Sequence, residues 1–114
     1  MKKHHRINYI EFRAKDLEAI KKFYSATFGW KFTDYGPDYA AFNDGTLDGG
    51  FERSEKKGQG TPLVILYSDN LELSLKAVEK NGGAVVKPIY SFPGGRRFHF
   101  ADPAGNELAV WSDK

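Results

Sequence analysis

Four ionisable side chains interrupt runs that are otherwise apolar. Glu11 lies within Ile7-Asn8-Tyr9-Ile10-Glu11-Phe12, Arg97 and His99 alternate with Phe98 and Phe100, and Glu107 opens Glu107-Leu108-Ala109-Val110-Trp111. A carboxylate in the middle of an apolar strand is costly unless it is paired or used. Glu11 and His99 are therefore the candidate acid/base groups. His99 with Glu11 and Glu107 also has the donor types for a metal site at non-standard positions. The plainer reading pairs Glu11 with Arg97 or Arg13 at a sheet surface or a dimer seam. The chain has no cysteine, which excludes disulfides, thiolate metal sites and a cysteine nucleophile. Gly94-Gly95 does not lead from a strand into a helix, so it reads as a turn and not as a phosphate loop. His4 and His5 are adjacent in a basic cluster with Lys2, Lys3 and Arg6, and a frayed, solvated terminus is expected there.

The composition narrows the partners. There are 114 residues, 40% hydrophobic and 15% aromatic, with a net charge of +2 from 17 basic and 15 acidic residues. One domain of this size buries roughly 65% of its unfolded surface, enough for a core without staples. The charge is too balanced, and too interspersed, to follow a phosphate backbone, so nucleic acid is not expected as a partner. No apolar run is long enough to cross a bilayer, and no signal-peptide core is present at the N-terminus. A cytoplasmic location is the expectation.

The elements that must carry those side chains read clearly. Residues 7–12 are a strand. Asp16 caps a helix with Glu18 in its first turn, and Leu17, Ile20, Phe23, Tyr24 and Phe28 recur at helical spacing. Gly29 ends it. Strands follow at 30–33, 39–42 and about 47–52. Residues 54–61, Ser-Glu-Lys-Lys-Gly-Gln-Gly-Thr, read as a linker. The order then repeats: a strand at 63–67, a helix capped by Asp69 or Asn70 and carrying Leu71, Leu73, Leu75 and Val78, a stop at Asn81-Gly82-Gly83, and strands at 84–86, 96–101 and 107–111. At an offset of 54, Asp16-Leu17-Glu18 falls on Asn70-Leu71-Glu72, Ile10 on Val64, Lys22 on Lys76 and Gly29 on Gly83. The chain is thus expected to be α+β: two tandem βαβββ units with curved half-barrel sheets, about 6–53 and 61–112, in one domain spanning 1–114.

Residues 15–30, from Lys15-Asp16-Leu17-Glu18 through Phe23-Tyr24 to Phe28-Gly29-Trp30, resemble the first helix of the glyoxalase/bleomycin-resistance/dioxygenase superfamily, the vicinal oxygen chelate fold. Asp102-Pro103-Ala104-Gly105-Asn106-Glu107 resembles its terminal hairpin. The resemblance implies a divalent metal held by His and Glu on inward strand positions. Those positions correspond here to Tyr9, Gly49 or Gly50, Leu63 and Ala109, which lack the usual ligands. No metal or other cofactor is therefore expected, and metal-dependent lyase or dioxygenase chemistry is put in doubt. Many members of the superfamily bind small molecules without a metal.

With Tyr9 facing inward, strand alternation turns Ile7, Glu11 and Arg13 the same way, with Leu63, Ile65 and Tyr67, and with Glu107, Ala109 and Trp111. Phe98 and Phe100 look like core, which leaves Arg97 and His99 inward. The expected ligand-binding set is Tyr9, Glu11, Tyr67, Arg97, His99, Glu107 and Trp111, an aromatic-lined cup with a few polar groups. It suits a neutral to partly aromatic small molecule, with Glu11 or Arg97 setting charge preference. The alternatives are a lyase or isomerase using Glu11 or His99, and a structural homodimer without ligand. A homodimer is expected under every reading, because open sheet edges need covering.

Overall fold

The computed structural model describes residues 2–55 and 62–114; most of the linker, 56–61, lies outside them. The element order is β1 (Ile7–Ala14), α1 (Leu17–Phe28), β2 (Lys31–Asp34), β3 (Tyr39–Asn43), β4 (Asp48–Arg53), β5 (Leu63–Tyr67), α2 (Leu71–Lys80), β6 (Ala84–Phe92), β7 (Gly95–Ala101) and β8 (Glu107–Ser112). This is α+β, two βαβββ units in tandem. The chain forms two compact units. One is Tyr9–Pro62; the other is Leu63–Lys114 together with the first eight residues.

The two units share one topology. In the N-terminal unit the sheet order is β2-β3-β4-β1, with β1 parallel to β4 and the other neighbours antiparallel. In the C-terminal unit it is β6-β7-β8-β5, with β5 parallel to β8. The registers correspond as well. Glu11 lies opposite Gly50, and Ile65, 54 residues after Glu11, lies opposite Ala109.

Local sequence explains each helix. The Asp16 carboxylate accepts from the Ala19 amide at 3.1 Å, and Gly29 closes α1 at φ 74°, a left-handed backbone that a glycine adopts without strain. Asn70, rather than Asp69, caps α2 by accepting from the Leu73 amide at 3.1 Å. The N-terminal unit packs Leu17 of α1 against Ala14, Ala40, Phe42 and Phe51, with Phe12, Tyr24 and Trp30 around them. Trp30 stacks between Tyr24 and Phe42, at centroid distances of 4.5 and 4.4 Å. The C-terminal unit packs Leu71 against Phe98 and Val110, flanked by Leu75, Val78, Ile89 and Phe100.

Several expectations are corrected. Leu73 is 62% exposed, because Leu71, Leu75 and Val78 already fill the core-facing stripe of α2. Phe23 and Phe28 are also exposed; they make edge contacts at the rim of the α1 aromatic group. The strand at 84–86 runs on to Phe92 with irregular register, and Pro88 sits at one of the irregular steps. The N-terminal basic cluster is docked, not frayed. The His5 amide donates to the Tyr67 carbonyl, and the Tyr67 amide donates to Arg6. His4 Nδ1 accepts from the Asp69 amide, and His5 Nε2 lies 3.0 Å from Ser74 Oγ.

Candidate functional site

In the N-terminal unit the helix-distant side of β1 carries Tyr9 and Glu11, as alternation requires. Phe12 points the other way, into the α1 core. Glu11 is buried, and its Oε1 accepts from the Tyr39 hydroxyl at 3.1 Å. The Tyr39 oxygen lies 2.6 Å from Tyr9 Oη. Because Tyr39 spends its single proton on Glu11, Tyr9 is the donor of that second bond. Burial first, and then the Glu11 charge, push the Tyr39 hydroxyl far above the ordinary phenol value. The result is a hydrogen-bonded line from Tyr9 through Tyr39 to Glu11.

Tyr39 also settles a position the sequence left open. The register equivalence with Ala109 selects Gly50, not Gly49, as the fourth-strand position. A β-carbon at Gly50 would overlap the Tyr39 ring and hydroxyl. A β-carbon at Gly49 would instead overlap Phe42, on the core side. The four positions that the family resemblance assigns to metal ligands thus hold Tyr9, Gly50, Leu63 and Ala109. That set offers one phenol and no carboxylate or imidazole, and it does not fit a divalent metal. Among the described residues, no group of three or more His, Asp, Glu or Cys side chains converges elsewhere.

The C-terminal unit carries the second polar group. His99 is buried between two partners: its Nδ1 lies 2.9 Å from Glu107 Oε2, and its Nε2 lies 3.0 Å from the Tyr90 hydroxyl. Arg97 Nε donates to the same hydroxyl at 2.5 Å. Burial lowers the His99 pKa, the Glu107 hydrogen bond opposes this, and the Arg97 and Lys87 charges reinforce it. The close contact with Glu107 is accordingly a hydrogen bond to a neutral imidazole. The network then assigns its protons: Nδ1–H donates to Glu107, and Nε2 accepts from Tyr90, whose oxygen accepts from Arg97. Further along the same unit, Trp111 Nε1 donates to Asn8 Oδ1 at 3.1 Å, and the Tyr67 and Trp111 rings meet edge to face at 5.3 Å. The Tyr67 hydroxyl donates to Asp113, a bond that with burial pushes its pKa up to about 12.

Within each unit the expected residues meet as follows. Tyr9 and Glu11 share a network in one unit; Arg97, His99 and Glu107 share another, with Tyr67 and Trp111 as a separate aromatic pair in that same unit. Tyr39, Tyr90, Asn8 and Asp113 join these groups and were not singled out by the sequence. Alternation along β3 would have turned Tyr39 away from Ala40 and Phe42. Tyr90 follows Pro88, in a stretch whose composition does not announce a strand. Two shallow concavities lie beside α1, one at Lys21, Ser25, Trp30 and Phe32, the other at Asp16, Pro37 and Arg53.

The model of the glyoxalase/bleomycin resistance protein/dioxygenase superfamily matches residues 6–110. The chain belongs to that superfamily. A glyoxylase-like domain-containing protein of Didymella fabae is 32% identical over 121 residues, covering 94% of this chain and 93% of that protein. Among solved structures, hypothetical protein BH1468 of Bacillus halodurans C-125 superposes with a TM-score of 0.77 at 14% identity, over 98% of this chain and 96% of that one. The Mn(II)-bound glyoxalase of Novosphingobium aromaticivorans gives a TM-score of 0.69 at 22% identity, over 99% of this chain and 40% of that one. These likenesses share the fold.

Proposed function

We propose that this chain is a glyoxalase-like small-molecule-binding protein that works without a divalent metal at the family's usual positions. The observation that carries the reading is Gly50 lying under Tyr39. The fourth-strand position has no side chain, and the space beside it is taken by a tyrosine that serves Glu11. The ligand lies against the polar and aromatic strand face of the C-terminal unit, with Tyr67, Tyr90 and Trp111 as apolar walls and Arg97 setting charge preference. Two measurements test this on untagged protein. Elemental analysis is expected to find no stoichiometric zinc, nickel, iron or manganese, and a thermal-shift screen of small molecules to find stabilising ligands. Stoichiometric metal overturns the metal-free half of the reading; a screen without hits overturns the binding half.

One observation favours a second reading, a lyase or isomerase. Glu107, His99 and Tyr90 form a directed chain in which a carboxylate orients a neutral imidazole toward a hydroxyl. In that reading His99 is the acid/base, and a His99→Gln variant loses turnover while retaining ligand binding. We further propose a homodimer, which light scattering tests directly by mass.

A further inference from the structure

Lys2 sits beside Tyr67 and Trp111, a placement that no strand-alternation argument assigns. Its ammonium lies 6.0 Å from the Tyr67 ring centroid and 5.8 Å from that of Trp111. Asp113 Oδ2 lies 3.2 Å from the same nitrogen, while Asp113 Oδ1 accepts from the Tyr67 hydroxyl. Two edge-to-face rings and a carboxylate therefore surround one cation. The walls are held from behind. Tyr67 is almost fully buried and tied to Asp113, and the Trp111 indole is tied to Asn8. The tie from Tyr67 also holds the Asp113 carboxyl below its usual range, with Lys2 adding to the effect, so its charge is retained near neutral pH. Asp69, which the N-terminal segment also reaches, is engaged by His4 and Lys114.

We propose that Tyr67, Trp111 and Asp113 form a binding site for a small organic ammonium group, which Lys2 occupies in cis as an internal competitor. A ring face attracts a cation through its quadrupole, and a neighbouring carboxylate adds direct charge. Neither offers much to a neutral group of the same shape. Lys2 is delivered by residues 4–6, which are anchored on Tyr67, Asp69 and Ser74. Its own side chain remains 46% exposed, so it can be displaced without moving the walls. The inference deepens the small-molecule reading by giving the ligand a positive charge, in place of the neutral ligand expected from the sequence. It rests on that reading only in that a ligand meets the Trp111 face.

The test uses the full chain and the indole N–H resonances of its two tryptophans, with Trp111 assigned by Trp111→Phe. Tetramethylammonium chloride is titrated against wild type, Lys2→Ala and Lys2→Gln, with sodium chloride matching ionic strength and tert-butanol as the neutral shape control. The Trp111 resonance is expected to shift saturably with tetramethylammonium and not with tert-butanol. Removing Lys2 is expected to lower the half-saturating concentration about fivefold or more, since an internal occupant multiplies the apparent affinity by the open fraction. Asp113→Asn is expected to weaken the response by a similar factor. Equal responses in wild type and both Lys2 variants, an equal response to tert-butanol, or movement of Trp30 alone would each overturn the proposal. If neutral molecules stabilise the protein while tetramethylammonium leaves Trp111 unmoved, the small-molecule reading stands and the ammonium site falls.

Discussion

Gly50 and Tyr39 exclude each other's enlargement. Gly50→Ala is expected to destabilise the protein by about 1–3 kcal/mol, the usual cost of overpacking a filled space. Tyr39→Ala in the same chain removes the overlapping ring, so the double variant is expected to lose less than the two single losses combined. Denaturant melts of the four proteins measure this, and strict additivity would refute the steric account. His99 gives a second residue-scale expectation. Its folded-state pKa is depressed below the ordinary 6.5, so the unfolded chain takes up the proton more readily. Its contribution to stability is therefore complete above about pH 6.5 and is lost as the pH falls from there through the folded value. His5 is shifted the same way by burial and by His4, and adds to the trend. Thermal melts between pH 8 and 5 should show this decline, and His99→Gln should flatten it; an unchanged slope would count against the buried neutral imidazole. At this scale the sequence was half legible. Alternation placed Glu11, Arg97 and His99 on the faces they occupy, because a period of two is fixed by the backbone. Their partners Tyr39 and Tyr90 come from β3 and β6, and cross-strand register is set by turns and by an irregular step near Pro88 that composition does not encode.

The helices were the most legible elements, since their caps are local chemistry. Asp16→Ala and Asn70→Ala are each expected to cost about 1 kcal/mol, measurable as a fall in denaturation midpoint, because each strands an amide at a helix start. Larger losses in either variant would mean that the cap also holds tertiary contacts. Phe98, wholly buried on β7 beneath α2, is the stronger lever: Phe98→Ala is expected to cost about 3–5 kcal/mol. What failed at this scale failed by counting apolar residues instead of their angular positions. Leu73 has the right composition for a core but points away from Leu71 and Leu75. The end of β6 failed because Lys87, Pro88 and Ser91 dilute the strand signal, while pairing with β7 supplies the order that propensity lacks.

Across the molecule, the offset of 54 read from residues is also an equivalence of sheets, since β1 beside β4 and β5 beside β8 have the same direction and register. That correspondence was legible because the helix N-caps Asp16 and Asn70 repeat in phase; the stop glycine falls one residue short, since α2 ends at Asn81 and its left-handed glycine is Gly82 where the offset marks Gly83. The side chains on the two sheets have diverged: Glu11 is matched by Ile65, and Gly50 by Ala109, so neither polar network has a copy in the other unit. The assignment of residues 1–8 to the C-terminal unit was not legible, for a basic tail carries no pattern that names its partner strand. That assignment bears on the order of events in synthesis. The segment that docks on Tyr67 is made before its berth on β5, which follows some sixty residues later, after the whole Tyr9–Pro62 unit. The N-terminal unit has its own core, around Leu17, Phe42 and Phe51, to collect before residues 4–6 dock. Docking closes a long loop at an entropic cost that grows only slowly with length.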